Sequence, residues 1–163
     1  MKKLLIVLLA VWMAVAMVSC AGKDPRDGEA KTFSVDGLSI TLTDGFREKD
    51  VDGYNKGYDS AKMGVLVLKE AFADIPGAES LTLDDYAEMV LENNQGKASE
   101  VKTSDGLTYM EYVAESSGQE YGYLVVMYRS ADAFWLVQFF SKSADFNEYR
   151  PSFINWAKTV TFA

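Results

Sequence analysis

Residues 121–140 read YGYLVVMYRSADAFWLVQFF. Two apolar runs, Tyr121–Tyr128 and Phe134–Phe140, flank the short polar break Arg129-Ser130-Ala131-Asp132. β-Branched and aromatic residues dominate both runs and suit a pleated, packed surface, so the pair is predicted to form an antiparallel hairpin. Neither run alternates cleanly. Trp135, Val137 and Phe139 point one way and Phe134, Leu136 and Phe140 the other, with Gln138 the polar exception. A strand that is apolar on both faces needs cover on both. The stretch therefore predicts the centre of a sheet held between two other layers.

Working outward, Met63–Glu70 (MGVLVLKE) has the same two-sided character and reads as another inner strand. Leu107–Ser116 feeds the central hairpin through Ser117-Gly118-Gln119, and is itself preceded by a short strand at Glu100–Thr103 and the turn Ser104-Asp105-Gly106. Nearer the amino end, Phe33–Val35 and Leu38–Leu42 alternate around a two-residue Asp36-Gly37, the strongest short hairpin signal. A short strand is expected around Tyr54–Asp59, a loop over Phe72–Ser80 and a closing strand at Val160–Phe162.

Two segments have helical spacing. Thr82 is a good N-cap with Asp85 at the third helical position, Leu81 can staple onto Tyr86, and Asp84 and Asp85 complement the helix dipole. Leu83, Tyr86, Ala87, Val90 and Leu91 form one apolar stripe, and Gly96 is a plausible stop. The second segment, Ala144–Lys158, places Phe146, Tyr149, Phe153, Ile154 and Ala157 on one face. Pro151 predicts a kink there, or a main helix that begins at Pro151. Two one-sided helices and a two-sided sheet combine simply, with one helix layer per face. The predicted fold is α+β, an α/β/α sandwich around a mostly antiparallel central sheet.

The amino terminus reads as an address. Lys2 and Lys3 precede an uninterrupted apolar run of 15 residues, Leu4–Val18. A spanning helix needs about 20, so the run suits a secretory signal. Met17-Val18-Ser19-Cys20 resembles the lipobox of bacterial lipoproteins. That resemblance implies a signal peptide over residues 1–19 and a diacylglycerol on Cys20, the one cysteine of the chain. Residues 20–31 then read as a lipidated, flexible tether, and residues 32–163 as a single domain. The expected location is outside the cytoplasm, at the cell membrane or outer membrane of a bacterium.

Composition excludes several function classes. The formal charge is −8, and loss of Lys2 and Lys3 takes it to −10. No basic stripe offsets this, so nucleic acid is not an expected partner. There is no histidine, which removes the usual general base and most zinc or copper sites, and a single cysteine forbids an internal disulfide.

The element order and the segments SLTLDDYAEMV (80–90) and FNEYRPSFINWAKTVTF (146–162) resemble the PsbP-like (DcrB-type) domains, many of them bacterial lipoproteins. The resemblance spans about residues 32–163. It implies a non-catalytic accessory domain and supplies no catalytic motif.

Candidate sites are sparse. Asp50 and Asp52 sit in DVDGYN, which lacks the glycine and glutamate positions of an EF-hand and reads as a turn. Asp84, Asp85 and Glu88 are explained by their helix-start position, and Glu111 and Glu115 by an exposed strand face. No catalytic residue, metal ligand or cofactor is therefore assigned. Nine tyrosines remain, with Tyr109 beside Glu111, Val113 and Glu115 on one face, and Tyr121, Tyr123 and Val125 on another. Tyrosine has a large apolar body and a polar tip, and suits interfaces. The expectation is a membrane-tethered module that docks on another envelope protein. The alternative is a small-ligand binder with its pocket between the sheet and the Thr82–Asn94 helix.

Overall fold

The computed structural model describes residues 23–163 apart from Gly96. The expected signal peptide, Cys20 and the Gly96 stop lie outside the described residues. The rest is α+β, with ten strands in two antiparallel sheets and two α-helices.

The large sheet has the order β3-β4-β5-β9-β8-β7-β6. Its centre is the predicted hairpin, β8 (Gln119–Arg129) and β9 (Ala133–Lys142), with β5 (Met63–Ala71) beside β9 and β7 (Leu107–Ser116) beside β8. Three short strands, β3 (Arg47–Lys49), β4 (Lys56–Asp59) and β6 (Lys102–Ser104), finish its margins. Nine of the ten residues of β9 are buried, as its two-sided apolar pattern requires.

One face of this sheet presents Val65, Val67, Trp135, Val137, Phe139, Leu124 and Val126. It is covered by α2 (Ser143–Ala157) and by a second, three-stranded sheet of order β1-β2-β10. In that sheet β1 (Ala30–Val35) and β2 (Leu38–Thr43) form the Asp36-Gly37 hairpin, with both turn residues at positive φ, 48° and 100°. The left-handed conformation matches the strand twist, which is why Asp-Gly works there. β10 (Thr161–Phe162) pairs with β2, and Thr159 clasps Thr41, accepting from its N–H at 2.9 Å and donating to its carbonyl at 3.2 Å. The layer on this face is thus part helix and part sheet.

The other face carries α1 (Leu83–Asn93). The capping box is formed: the Thr82 hydroxyl accepts from the Asp85 N–H at 3.1 Å, and the Asp85 carboxylate accepts from the Thr82 N–H at 2.9 Å. Tyr86, Ala87 and Val90 are buried against Met110, Val125, Met127, Phe134 and Leu136.

One alternative for Pro151 and the reading of the tether need correction. α2 does not begin at Pro151 but runs through it as one element. Pro151 and Asn147, whose carbonyl loses its helical partner, both lie on the exposed side where water replaces that bond. The described part of the expected tether is docked as well. Pro25–Asp27 forms a 3₁₀ turn with Pro25 buried, and Ala30 and Lys31 already belong to β1. The Arg26 guanidinium bridges Asp24 at 2.7 Å and Glu148 at 2.5 Å, and lies 4.7 Å from the Tyr149 ring centre. A polar, proline-containing stretch looks like linker, but these contacts are with α2, more than a hundred residues away.

Candidate functional site

All nine tyrosines lie among the described residues, and none is fully exposed. Tyr58, Tyr86, Tyr109, Tyr121 and Tyr149 are buried, while Tyr54, Tyr112, Tyr123 and Tyr128 are half-buried. Tyr128 belongs to the closed face, where its hydroxyl donates to the Ala157 carbonyl at 2.8 Å. The other three half-buried rings converge. Register places Tyr112 opposite Tyr123, and Tyr123 opposite Phe140, on the same face as α1 but at the far end of the sheet.

The geometry of the patch is set by close aromatic contacts. Tyr112 and Tyr123 stack at 4.9 Å with planes 16° apart, and Phe140 lies 5.8 Å from Tyr123 and 6.1 Å from Tyr121. The tip of the Phe140 ring sits over Gly64, where a β-carbon would meet it at 2.1 Å, so glycine at this position of β5 makes room for the ring. Tyr54 closes the cluster from the loop before β4, and its hydroxyl accepts from Gln138 Nε2 at 3.3 Å. That contact explains the polar exception in β9. Burial pushes the Tyr123 phenol up to about 12 and raises Tyr112 and Tyr54 as well, so all three are neutral donors at physiological pH.

Sequence grouping placed Tyr121 and Tyr123 together on one strand face, and the structure keeps them together. It also adds Tyr112, which follows from the β7–β8 register. Tyr54 carries no periodic signal, because a loop delivers it. Tyr109 lies on the opposite face, buried, with Arg150 donating to its hydroxyl at 3.2 Å.

The candidate carboxylates are dispersed. Asp50 pairs with Lys56 at 2.8 Å, which lowers its pKa, and Asp85 is held by Thr82 and lowered likewise. Glu111 is mostly buried and ion-paired to Arg150 and to Lys102, rather than free on the surface, whereas Glu115 is exposed. Glu111 and Glu115 therefore do not form the pair of carboxylates over a cleft that glycoside hydrolysis needs. A buried carboxyl outside the predicted set is Glu70, which accepts from the Tyr86 hydroxyl and whose pKa burial raises.

Around Tyr86, Ala87 and Val90 the space between sheet and α1 is packed: Tyr86 stacks on Phe134 at 4.1 Å with planes 3° apart, and Ala87 and Val90 are buried beside it. A small hollow does lie beyond α1, between Val51, Gly57, Leu66 and Phe140, with room for about one water molecule.

No family model matches the chain, and no curated protein matches it. Solved structures do. The fold is similar to that of cyanobacterial PsbP (CyanoP) from Synechocystis, at 15% identity and a TM-score of 0.51, covering 89% of this chain and 98% of that one. It is similar to LpqN of Mycobacterium tuberculosis, a protein involved in cell envelope biogenesis, at 10% identity and a TM-score of 0.53, covering 85% and 94%. A protein of Bacteroides thetaiotaomicron matches at 14% identity and a TM-score of 0.50, over 83% of this chain and 49% of that one. At these identities the likeness establishes a PsbP-like fold and carries no activity with it. Among the described residues no helix is long and apolar enough to cross a membrane.

Proposed function

We propose that this chain is a non-catalytic accessory domain of the bacterial cell envelope, anchored by a lipid on Cys20, that works by binding another envelope protein. The observation that carries the reading is the Tyr54–Tyr112–Tyr123 patch. Three neutral, half-buried rings meet there, Tyr112 and Tyr123 on the sheet and Tyr54 from the loop before β4, at the end of the face that α1 leaves open. Rigid aromatic side chains lose little entropy on binding and offer both apolar area and a hydroxyl. The dispersed carboxylates and the absence of histidine argue against hydrolysis. The fold shared with LpqN, whose described role is in envelope biogenesis, supports the envelope setting. The lipobox at Met17–Cys20 supports the anchor.

The test is photo-crosslinking in native membranes, with the reactive group placed at Tyr54. One reproducible protein adduct, lost in the Tyr112→Ser/Tyr123→Ser double variant, is the expected result. Labelling with a radioactive fatty acid tests the anchor separately, and Cys20→Ser should abolish it. Adducts that survive the tyrosine changes would overturn the patch, and retained label would overturn the lipid assignment.

A further inference from the structure

The large sheet has one long strand without a neighbour along most of its outer side. β6 pairs with β7 only at Leu107, Thr108 and Tyr109, and no strand follows it in the sheet order. The two turns bounding β7 fix which backbone groups are left over. Asp105-Gly106 and Ser117-Gly118 are two-residue turns at positive φ, so Ser104–Leu107 and Ser116–Gln119 are hydrogen-bonded pairs. Counting back by twos, Ala114, Tyr112 and Met110 bond to β8. Counting forward, Leu107 and Tyr109 bond to β6. Both counts agree that Glu111, Val113 and Glu115 direct their N–H and C=O groups away from β8, where no strand meets them.

The side chains along this edge are specific. Val113, at 53%, is the one large apolar residue that is exposed among the described residues. Glu115 faces Glu120 directly across the ladder, both exposed, and neither has an ion-pair partner among the described residues. Like charges so placed destabilise a sheet. A second copy of this chain is a poor occupant. Antiparallel pairing centred on Val113 would set Glu111 of each copy against Glu115 of the other, and acidic residues commonly guard edges against such pairing. Glu111 is already paired with Arg150 and Lys102, so the uncompensated charge lies at Glu115 and Glu120, and an incoming strand with a basic residue beside Glu115 would neutralise it.

We infer that the outer edge of β7, from Glu111 to Glu115, is a β-augmentation site for an extended basic segment of another protein, added antiparallel with the pattern basic-x-apolar. Main-chain bonds to Glu111, Val113 and Glu115 supply affinity, and the basic residue beside Glu115 supplies selectivity. The intervening residues would lie on the Tyr112 face, so the added strand would border the aromatic patch. This names the kind of partner for the interaction reading above, on which it rests only for the strand's biological source.

The test uses the full chain in detergent and a synthetic peptide containing Lys-Thr-Val-Thr-Ser, read by residue-resolved hydrogen exchange. At saturation the amides of Glu111, Val113 and Glu115 should slow by about tenfold or more. The Glu-Thr-Val-Thr-Ser counterpart should leave them unchanged. Val113→Pro removes an outward N–H while sparing the bonds to β8; it should abolish the protection with little change in melting. Should that variant unfold, Glu115→Lys/Glu120→Lys provides a surface substitution that should reverse the preference towards the acidic peptide. Unchanged exchange, equal protection by both peptides, or concentration-dependent protection without peptide would overturn the inference. Such a failure would leave the tyrosine-dependent crosslink untouched, so the two readings can fall separately.

Discussion

The two faces of the large sheet are built from equally apolar strands, yet they are finished differently. One is closed along its length by α2 and the small sheet, with Trp135, Phe139 and Phe153 at its centre. The other is closed by α1 at one end and by half-buried tyrosines at the other. A face closed by helix and strand excludes water with aliphatic and aromatic carbon. A face closed by tyrosine leaves hydroxyls and ring edges in reach of a partner. The difference shows how one sheet can hold the fold together on one side and keep a binding surface on the other.

If that division is right, substitutions on the closed face should be the more damaging. Trp135 is 1% exposed, and its Nε1 donates to Ser130 Oγ at 3.1 Å. Trp135→Ala should cost about 3–5 kcal/mol in denaturant unfolding, and a near-neutral result would break the comparison outright. Tyr123→Ala, on the open face, removes a half-buried ring between Tyr112 and Phe140. It should cost about 1–2 kcal/mol, and a loss as large as that of Trp135 would make the patch core rather than surface.

The smallest effect concerns Glu70, at the α1 end of the open face. Burial raises its pKa, so its ionised form opposes folding. That penalty is fully present above the folded pKa and vanishes as pH falls below the unfolded value near about 4.3. Glu70→Gln should therefore raise the melting temperature slightly at neutral pH while still accepting from Tyr86. The gain should disappear below about pH 4. A gain that persists in acid would mean that packing, not charge, separates the two side chains.

Much of this fold was legible in the chain. Asp36-Gly37 and Asp105-Gly106 announce hairpins because few other pairs tolerate two left-handed residues. The two-sided run Phe134–Phe140 could only be an inner strand. Thr82 and Asp85 announce a helix start by their spacing alone. What the chain concealed depends on contacts between distant residues. Nothing local says that β10 will join β2 rather than the large sheet, since the Thr159–Thr41 clasp spans 118 positions. Half of the candidate site was equally hidden: Tyr123 lies in a strand whose faces can be counted, whereas Tyr54 arrives from a loop.

The clamp of Arg26 on α2 bears on how the domain can move. With a lipid on Cys20, only four peptide steps separate the anchor from Asp24, a reach of about 14 Å when extended. The Arg26 end of the domain would then stay within that reach of the bilayer. Arg150, the residue after Tyr149 on α2, touches Glu111 on β7, so the open edge would stand about one helix diameter from the clamp. A strand that reaches this edge would have to come from close to the membrane surface.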